Sequence, residues 1–165
     1  MAVSLRSDLK VADEVWIATA LLHRERPDSA DFSIEEIVGR VQQENLYGSL
    51  RPGVYTHVVQ HCVANRPPNP GRYRILYETT EGRRRLFRKG DPEHSDRRDA
   101  KSTPAGKDLP DTYTGLLTWY EDWCALEASR AIESDPLISL VGSGRHIWAE
   151  EHADGYVDRL RASWK

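Results

Sequence analysis

The chain has 165 residues, of which 39% are hydrophobic and 30% charged, with a mean hydropathy of -0.65. That mixture is too polar for a membrane-spanning protein and too apolar for a wholly disordered one, and the length suits one ordinary domain or two small ones. A net charge of -3 argues, as an average, against a polyanionic partner.

The average hides a strong asymmetry. Residues 1–70 carry 7 basic and 9 acidic side chains, residues 71–107 carry 11 and 6, and residues 108–165 carry 5 and 11. A basic middle between acidic flanks confines any phosphate contact to one stretch. The two cysteines, Cys62 and Cys124, lie far apart without CxxC spacing, so they read as reduced thiols and not as a disulfide or zinc framework. The first residues lack an apolar signal core, and the run Val15–Leu22 is far shorter than the roughly 20 residues that span a bilayer, so the expected location is cytoplasmic.

In chain order, Val11, Val15, Ala18, Leu21 and Leu22 recur at helical spacing, with Trp16 and Ile17 widening the stripe, and predict a first helix to about Arg24. Ser33 and Glu36 form an S-x-x-E capping box ahead of Ile34, Ile37, Val38 and Val41, which predicts a second helix to about Glu44. Pro52 suits a first helical turn, and Val54, Val58 and Cys62 mark the buried stripe of a third helix ending near Asn65. The segment Arg66–Gly71 is a proline-rich loop. Arg72–Thr79 and Arg83–Lys89, separated by Thr80-Glu81-Gly82, predict a β-hairpin. Gly90–Pro110 has few large apolar residues and predicts a charged linker. Beyond it, Tyr113, Leu116, Leu117, Tyr120, Trp123 and Cys124 predict an amphipathic helix to about Ile132, and Tyr156, Val157, Leu160 and Trp164 predict a final helix from about Glu150.

The expected architecture is therefore mostly α within an α+β class: a three-helix winged helix-turn-helix with a β-hairpin wing over 8–90, a linker over 91–110, and a C-terminal helical interaction region over 111–165. Three helices followed by a basic hairpin is the order in which a third helix enters the DNA major groove while the hairpin touches backbone. On that reading Thr56, His57 and Gln60 face bases, Arg51 sits at the helix start, and Arg72, Arg74, Arg83, Arg84 and Arg85 hold phosphates. The stretch from Cys62-Val63-Ala64-Asn65 through Tyr73-Arg74-Ile75-Leu76 to Arg85-Leu86-Phe87-Arg88-Lys89-Gly90-Asp91 resembles winged-helix modules of bacterial proteins of poorly known function, some attached to restriction enzymes. The resemblance spans about residues 8–91 and implies the winged-helix fold; with the helix order and the basic hairpin, the expected function is a transcriptional regulator acting on double-stranded DNA.

A second resemblance concerns the tail. Leu140-Val141-Gly142-Ser143-Gly144-Arg145-His146-Ile147-Trp148, followed by His152 to Arg161 and Trp164, resembles C-terminal segments of antitoxins that pair with PIN-domain ribonucleases. It implies a segment that wraps a toxin-like ribonuclease, with Trp148, Tyr156, Leu160 and Trp164 as anchors and Arg145, Arg159 or Arg161 entering the partner's acidic site. The same aromatic stripe also suits an internal helical core or a homodimer contact.

No enzymatic chemistry, cofactor or metal is expected. His57 and His61 form an i, i+4 pair without a third ligand at informative spacing, and Gly142-Ser143-Gly144-Arg145 lacks the spacing and lysine of a phosphate-binding loop. Glu93, Asp99 and Lys101 supply only the letters of a metal-dependent nuclease, which leaves a restriction-system component as the least favoured reading.

Overall fold

The structure, a computed structural model, describes residues 8–143 and 153–163. Among the described residues it is α+β, with α1 (Val11–Glu25), β1 (Phe32–Ser33), α2 (Ile34–Glu44), α3 (Gly53–Thr56), β2 (Leu76–Glu78), β3 (Arg83–Leu86), α4 (Gly115–Glu133), α5 (Pro136–Ser139) and α6 (Ala153–Ala162). A single π-helical turn, His57–His61, extends α3, and short 3₁₀ turns punctuate the stretch between β3 and α4.

α1 is the central element. Every residue from Ala12 to His23 is buried, which explains why its apolar stripe is wide and why Trp16 and Ile17 belong to it. α2 begins as its sequence dictates: the Ser33 hydroxyl accepts from the Glu36 amide at 3.2 Å, and the Glu36 carboxylate accepts from the Ser33 amide at 2.8 Å. It ends at Asn45 in the left-handed conformation, with φ 49°. The three strands form one antiparallel sheet in the order β1-β3-β2, with Phe32 opposite Arg84 and Tyr77 opposite Arg85. Phe32, Ile37, Val54, Val58, Cys62, Ile75, Leu76 and Leu86 close around α1 in one core.

The third helix is shorter than its apolar spacing predicts. The Cys62 amide bonds to the His57 oxygen at 2.9 Å, a five-residue step, and helical structure then stops. The backbone beyond it is claimed by the hairpin: the Cys62 oxygen accepts from the Ile75 and Leu76 amides, and the Ala64 amide bonds to the Leu76 oxygen. The predicted strands shorten for the same reason. The Arg74 amide goes to the Lys101 oxygen instead of a ladder, and the Asp91 side chain captures the Arg88 amide to turn the chain after Phe87.

The chain forms two compact units that part after Cys124, inside α4. That boundary differs from the 8–90, 91–110 and 111–165 division expected from composition. The segment over 91–110, low in apolar residues, is anchored by the few it has and by polar links: Arg97 and Leu109 are buried, and the Lys101 ammonium reaches the buried Asp13 carboxylate at 2.7 Å. Tyr113 and Leu116 continue the same core. In the second unit, Leu137, Leu140 and Val141 are largely exposed, and α6 carries half-exposed Val157 and Leu160.

Candidate nucleic-acid interface

The residues predicted to touch DNA lie on the start of α3, its π turn and the hairpin, and most of them are already engaged within the protein. Arg51 precedes α3, where its guanidinium holds the buried Glu14 carboxylate through Nε at 2.9 Å and Nη2 at 2.6 Å. Burial raises the Glu14 pKa, and Arg51 opposes that shift. Arg51 is therefore the counterion of a buried acid and not a free phosphate ligand.

Within the helix, the valines at 54 and 58 and Cys62 are fully buried, so the opposite face is set by elimination. Tyr55 is 58% exposed and Thr56 is exposed beside it. His57 turns inward: its Nδ1 lies 2.8 Å from the Gly53 oxygen, its ring meets that of His61 edge to face at 4.9 Å, and burial lowers its pKa. Gln60 spends its amide on the Pro67 oxygen at 2.6 Å. Of the predicted trio, Thr56 is exposed, and the exposed aromatic Tyr55 lies beside it. Sequence reasoning passed over Tyr55, although its place one residue after Val54 put it off the apolar stripe.

The hairpin arginines show the same internal commitment. Arg84 is 1% exposed and donates to the Glu78 carboxylate at 2.9 Å; Arg66 forks onto the same carboxylate at 2.6 and 2.7 Å. Hydrogen bonds and charge from Arg66, with Arg84, hold the Glu78 carboxyl below its usual range against the opposing effect of burial. Burial pulls the Arg84 pKa below its ordinary value. Arg85 is also buried and makes a bidentate pair with Asp91 at 2.6 and 2.7 Å, its guanidinium 4.5 Å from the Tyr77 ring centroid. Arg74 donates to the Ala100 oxygen and to Glu93 at 2.6 Å. Arg83 pairs with Asp31 but keeps a side chain 45% exposed. Arg72 is exposed and has no ion-pair partner among the described residues.

These positions divide the expected phosphate set by how far each arginine is engaged within the protein. Arg84 and Arg85 are themselves buried and would have to give up their part-buried partners Glu78 and Asp91 to reach a phosphate. Arg51 and Arg74 are partly screened in the same way, while Arg72 and Arg83 remain presented. Counting charge along the chain overstated the basic surface, since it could not see that Asp31, Glu78, Asp91 and Glu93 neutralise the wing.

Arg97, which sequence analysis left in the linker, is the most engaged cation of this region. It is fully buried and donates to the main-chain oxygens of Arg66, His61, Tyr73, Gln60 and Pro67. Two of these carbonyls belong to the π turn, where a cation also meets the negative end of the helix.

In the second unit, Tyr156, Leu160 and Arg161 lie on α6, and the Arg159 guanidinium sits 5.5 Å from the Tyr156 ring centroid. The predicted anchors Arg145, Trp148 and Trp164 fall outside the described residues. Among the described residues, no cluster of three or more His, Cys, Asp or Glu side chains could hold a metal, and no helix is long and apolar enough to cross a membrane. No family model, curated protein or solved structure matches the chain.

Proposed function

We propose that residues 8–91 form a winged helix that binds double-stranded DNA, and that the protein acts as a transcriptional regulator. The observation that carries this reading is topological: the order α1-β1-α2-α3-β2-β3 combines with the strand order β1-β3-β2, so that β1 docks on the second strand of the hairpin and the first is bonded to the chain just beyond the third helix. Tyr55 and Thr56 present the start of α3 to a major groove, and Arg72 and Arg83 flank it as phosphate contacts. The buried arginines fix the wing's shape instead of touching the nucleic acid.

A mobility-shift titration over a salt series tests the reading. With two phosphate contacts, log K falls against log salt with a slope of about -2, instead of the roughly -5 that six free arginines would produce. Binding that is absent, or indifferent to salt, overturns it.

An antitoxin-like interaction module is the second reading, and the exposure of Leu137 (73%), Leu140 (60%) and Val141 (76%) in the second unit supports it. Deletion from Leu137 onward then abolishes neutralisation of a co-expressed partner ribonuclease while DNA affinity survives. Unchanged neutralisation after the deletion removes this reading.

A further inference from the structure

Between the end of the hairpin and the first half of α4, within the first unit, lies a cleft of about 620 Å³. Its size falls in the range of small-molecule sites, roughly 300–1,000 Å³. Phe87, Leu117 and Tyr120 form an apolar wall. The Tyr120 hydroxyl donates to the Phe87 main-chain oxygen, which joins hairpin to helix across that wall. Four further charged groups besides Arg74 line the cleft, and they divide sharply by occupation. Asp91 is consumed by Arg85, and Glu93 is paired with Arg74. Lys89 and Glu121 are exposed, and neither forms an ion pair with the other or with any other described residue.

An apolar wall flanked by an ammonium and a carboxylate that do not pair with each other complements a ligand of matching pattern. We propose that this cleft binds a small zwitterion whose charges sit at separated ends of an apolar body, such as an aromatic or aliphatic ω-amino acid. Its carboxylate pairs with Lys89, its ammonium with Glu121, and its body packs on Phe87, Leu117 and Tyr120. A ligand of single charge leaves one of the two wall charges unanswered. An uncharged one leaves both. The assignment stands on the cleft alone and owes nothing to the nucleic-acid reading.

Cys124 supplies the readout. It is half-buried at the cleft wall, whereas Cys62, the chain's only other cysteine, is fully buried. Alkylation of the full-length protein by iodoacetamide under mildly alkaline conditions therefore reports access to the cleft. The probe is 4-(aminomethyl)benzoate, with 4-methylbenzylamine and 4-methylbenzoate as single-charge comparators. Two partly exposed ion pairs on a small body correspond to a Kd of about 1 mM. At about 10 mM probe, alkylation of Cys124 then slows by about tenfold, and the comparators protect less. Lys89→Gln and Glu121→Gln each raise the probe's Kd by about threefold to fivefold. Both positions are exposed and outside the core, so these variants fold. Alkylation unchanged by the probe, equal protection by a single-charge comparator, or full protection retained in both variants overturns the proposal.

Discussion

The Arg97 guanidinium donates to the main-chain oxygen of His61 at 2.7 Å, and so a residue from the charged stretch after the hairpin closes the end of the third helix. At the end of the π turn the Gln60 oxygen accepts from the Val63 amide at 3.3 Å, and Arg97 donates to it and to the His61 oxygen while also binding the oxygens of Arg66, Tyr73 and Pro67. Its planar fork suits this task, since one side chain supplies donors in several fixed directions. Arg97→Ala removes a fully buried donor shared by five main-chain oxygens and is expected to destabilise the fold by about 3 kcal/mol or more. Arg97→Lys keeps the charge but not the fork, and recovers only part of that loss. Urea denaturation of the two variants against the parent measures both; equal stability of parent and Arg97→Ala removes the assignment.

The division between presented and buried arginines gives a second expectation. Arg72→Ala and Arg83→Ala weaken DNA binding at unchanged thermal stability, and each lowers the salt slope by about 1. Arg84→Ala does the opposite: it leaves Glu78 with one partner fewer and creates a cavity, so it lowers the Tm before it affects affinity. Affinity measured well below the Tm of each variant separates the two effects. A folded Arg84→Ala protein with a selective loss of DNA binding contradicts the burial argument.

What the sequence makes legible here is what its physics makes local. The Ser33–Glu36 capping box and the α1 stripe each depend on residues within one or two helical turns and stand in the structure, and Val54, Val58 and Cys62 are buried as their spacing requires although the helix ends before Cys62. The fate of the hairpin arginines was not legible, because their partners come from elsewhere in the chain: Asp31 precedes β1, and Asp91 follows the hairpin. A run of three arginines looks alike in sequence whether it is buried or exposed. Alternation along β3 separates neighbours, but Arg84 and Arg85 are both covered, Arg84 paired with Glu78 and Arg85 with Asp91. Gly71 was unreadable for a related reason. A Cβ there would stand 2.8 Å from the His61 Cβ, a close approach that only tertiary structure creates.

That approach carries its own expectation. Gly71→Ala forces the His61 side chain or the proline-rich loop to move, at a cost of about 1–3 kcal/mol. Gly39→Ala, where a Cβ meets nothing within 4 Å inside a helix, is neutral or stabilising and serves as the control. Thermal denaturation of both variants reads the difference.

His23 makes stability depend on pH. Its ring is wedged between Phe32 and Trp123 at centroid distances of 4.8 and 4.7 Å, and its Nε2 accepts the Leu86 amide at 3.3 Å. Burial, reinforced by Arg88 and Arg85, lowers its pKa from 6.5 to about 3. Between these values the unfolded chain binds a proton that the folded one refuses. Stability therefore rises with pH through that window, and on acidification it falls by about 1.4 kcal/mol per pH unit below 6.5. His23→Gln keeps an acceptor for the Leu86 amide but has no imidazole to protonate. Unfolding free energies at pH 7 and pH 5 are expected to differ by about 2 kcal/mol more for the parent than for the variant.

The Glu14–Arg51 pair predicts a pH dependence of the opposite sign. Glu14 is 3% exposed, and its pKa is already raised by burial with Arg51 in place. In Arg51→Ala the carboxylate loses its counterion, so its folded pKa climbs further above the unfolded value. The folded state then binds more protons than the unfolded state between those two values, and stability falls as pH rises through that interval. The variant's deficit is thus fullest near neutral pH, at about 3 kcal/mol, and shrinks toward acid as Glu14 takes up a proton. Adding Glu14→Gln to Arg51→Ala removes the orphaned charge and recovers much of the loss at neutral pH. A phosphate-binding role for Arg51 makes a different forecast, in which Arg51→Ala weakens DNA binding at parental stability and Glu14→Gln rescues nothing. Urea denaturation of the single and double variants across pH 4–8, beside their DNA affinities, decides between a counterion and a phosphate ligand.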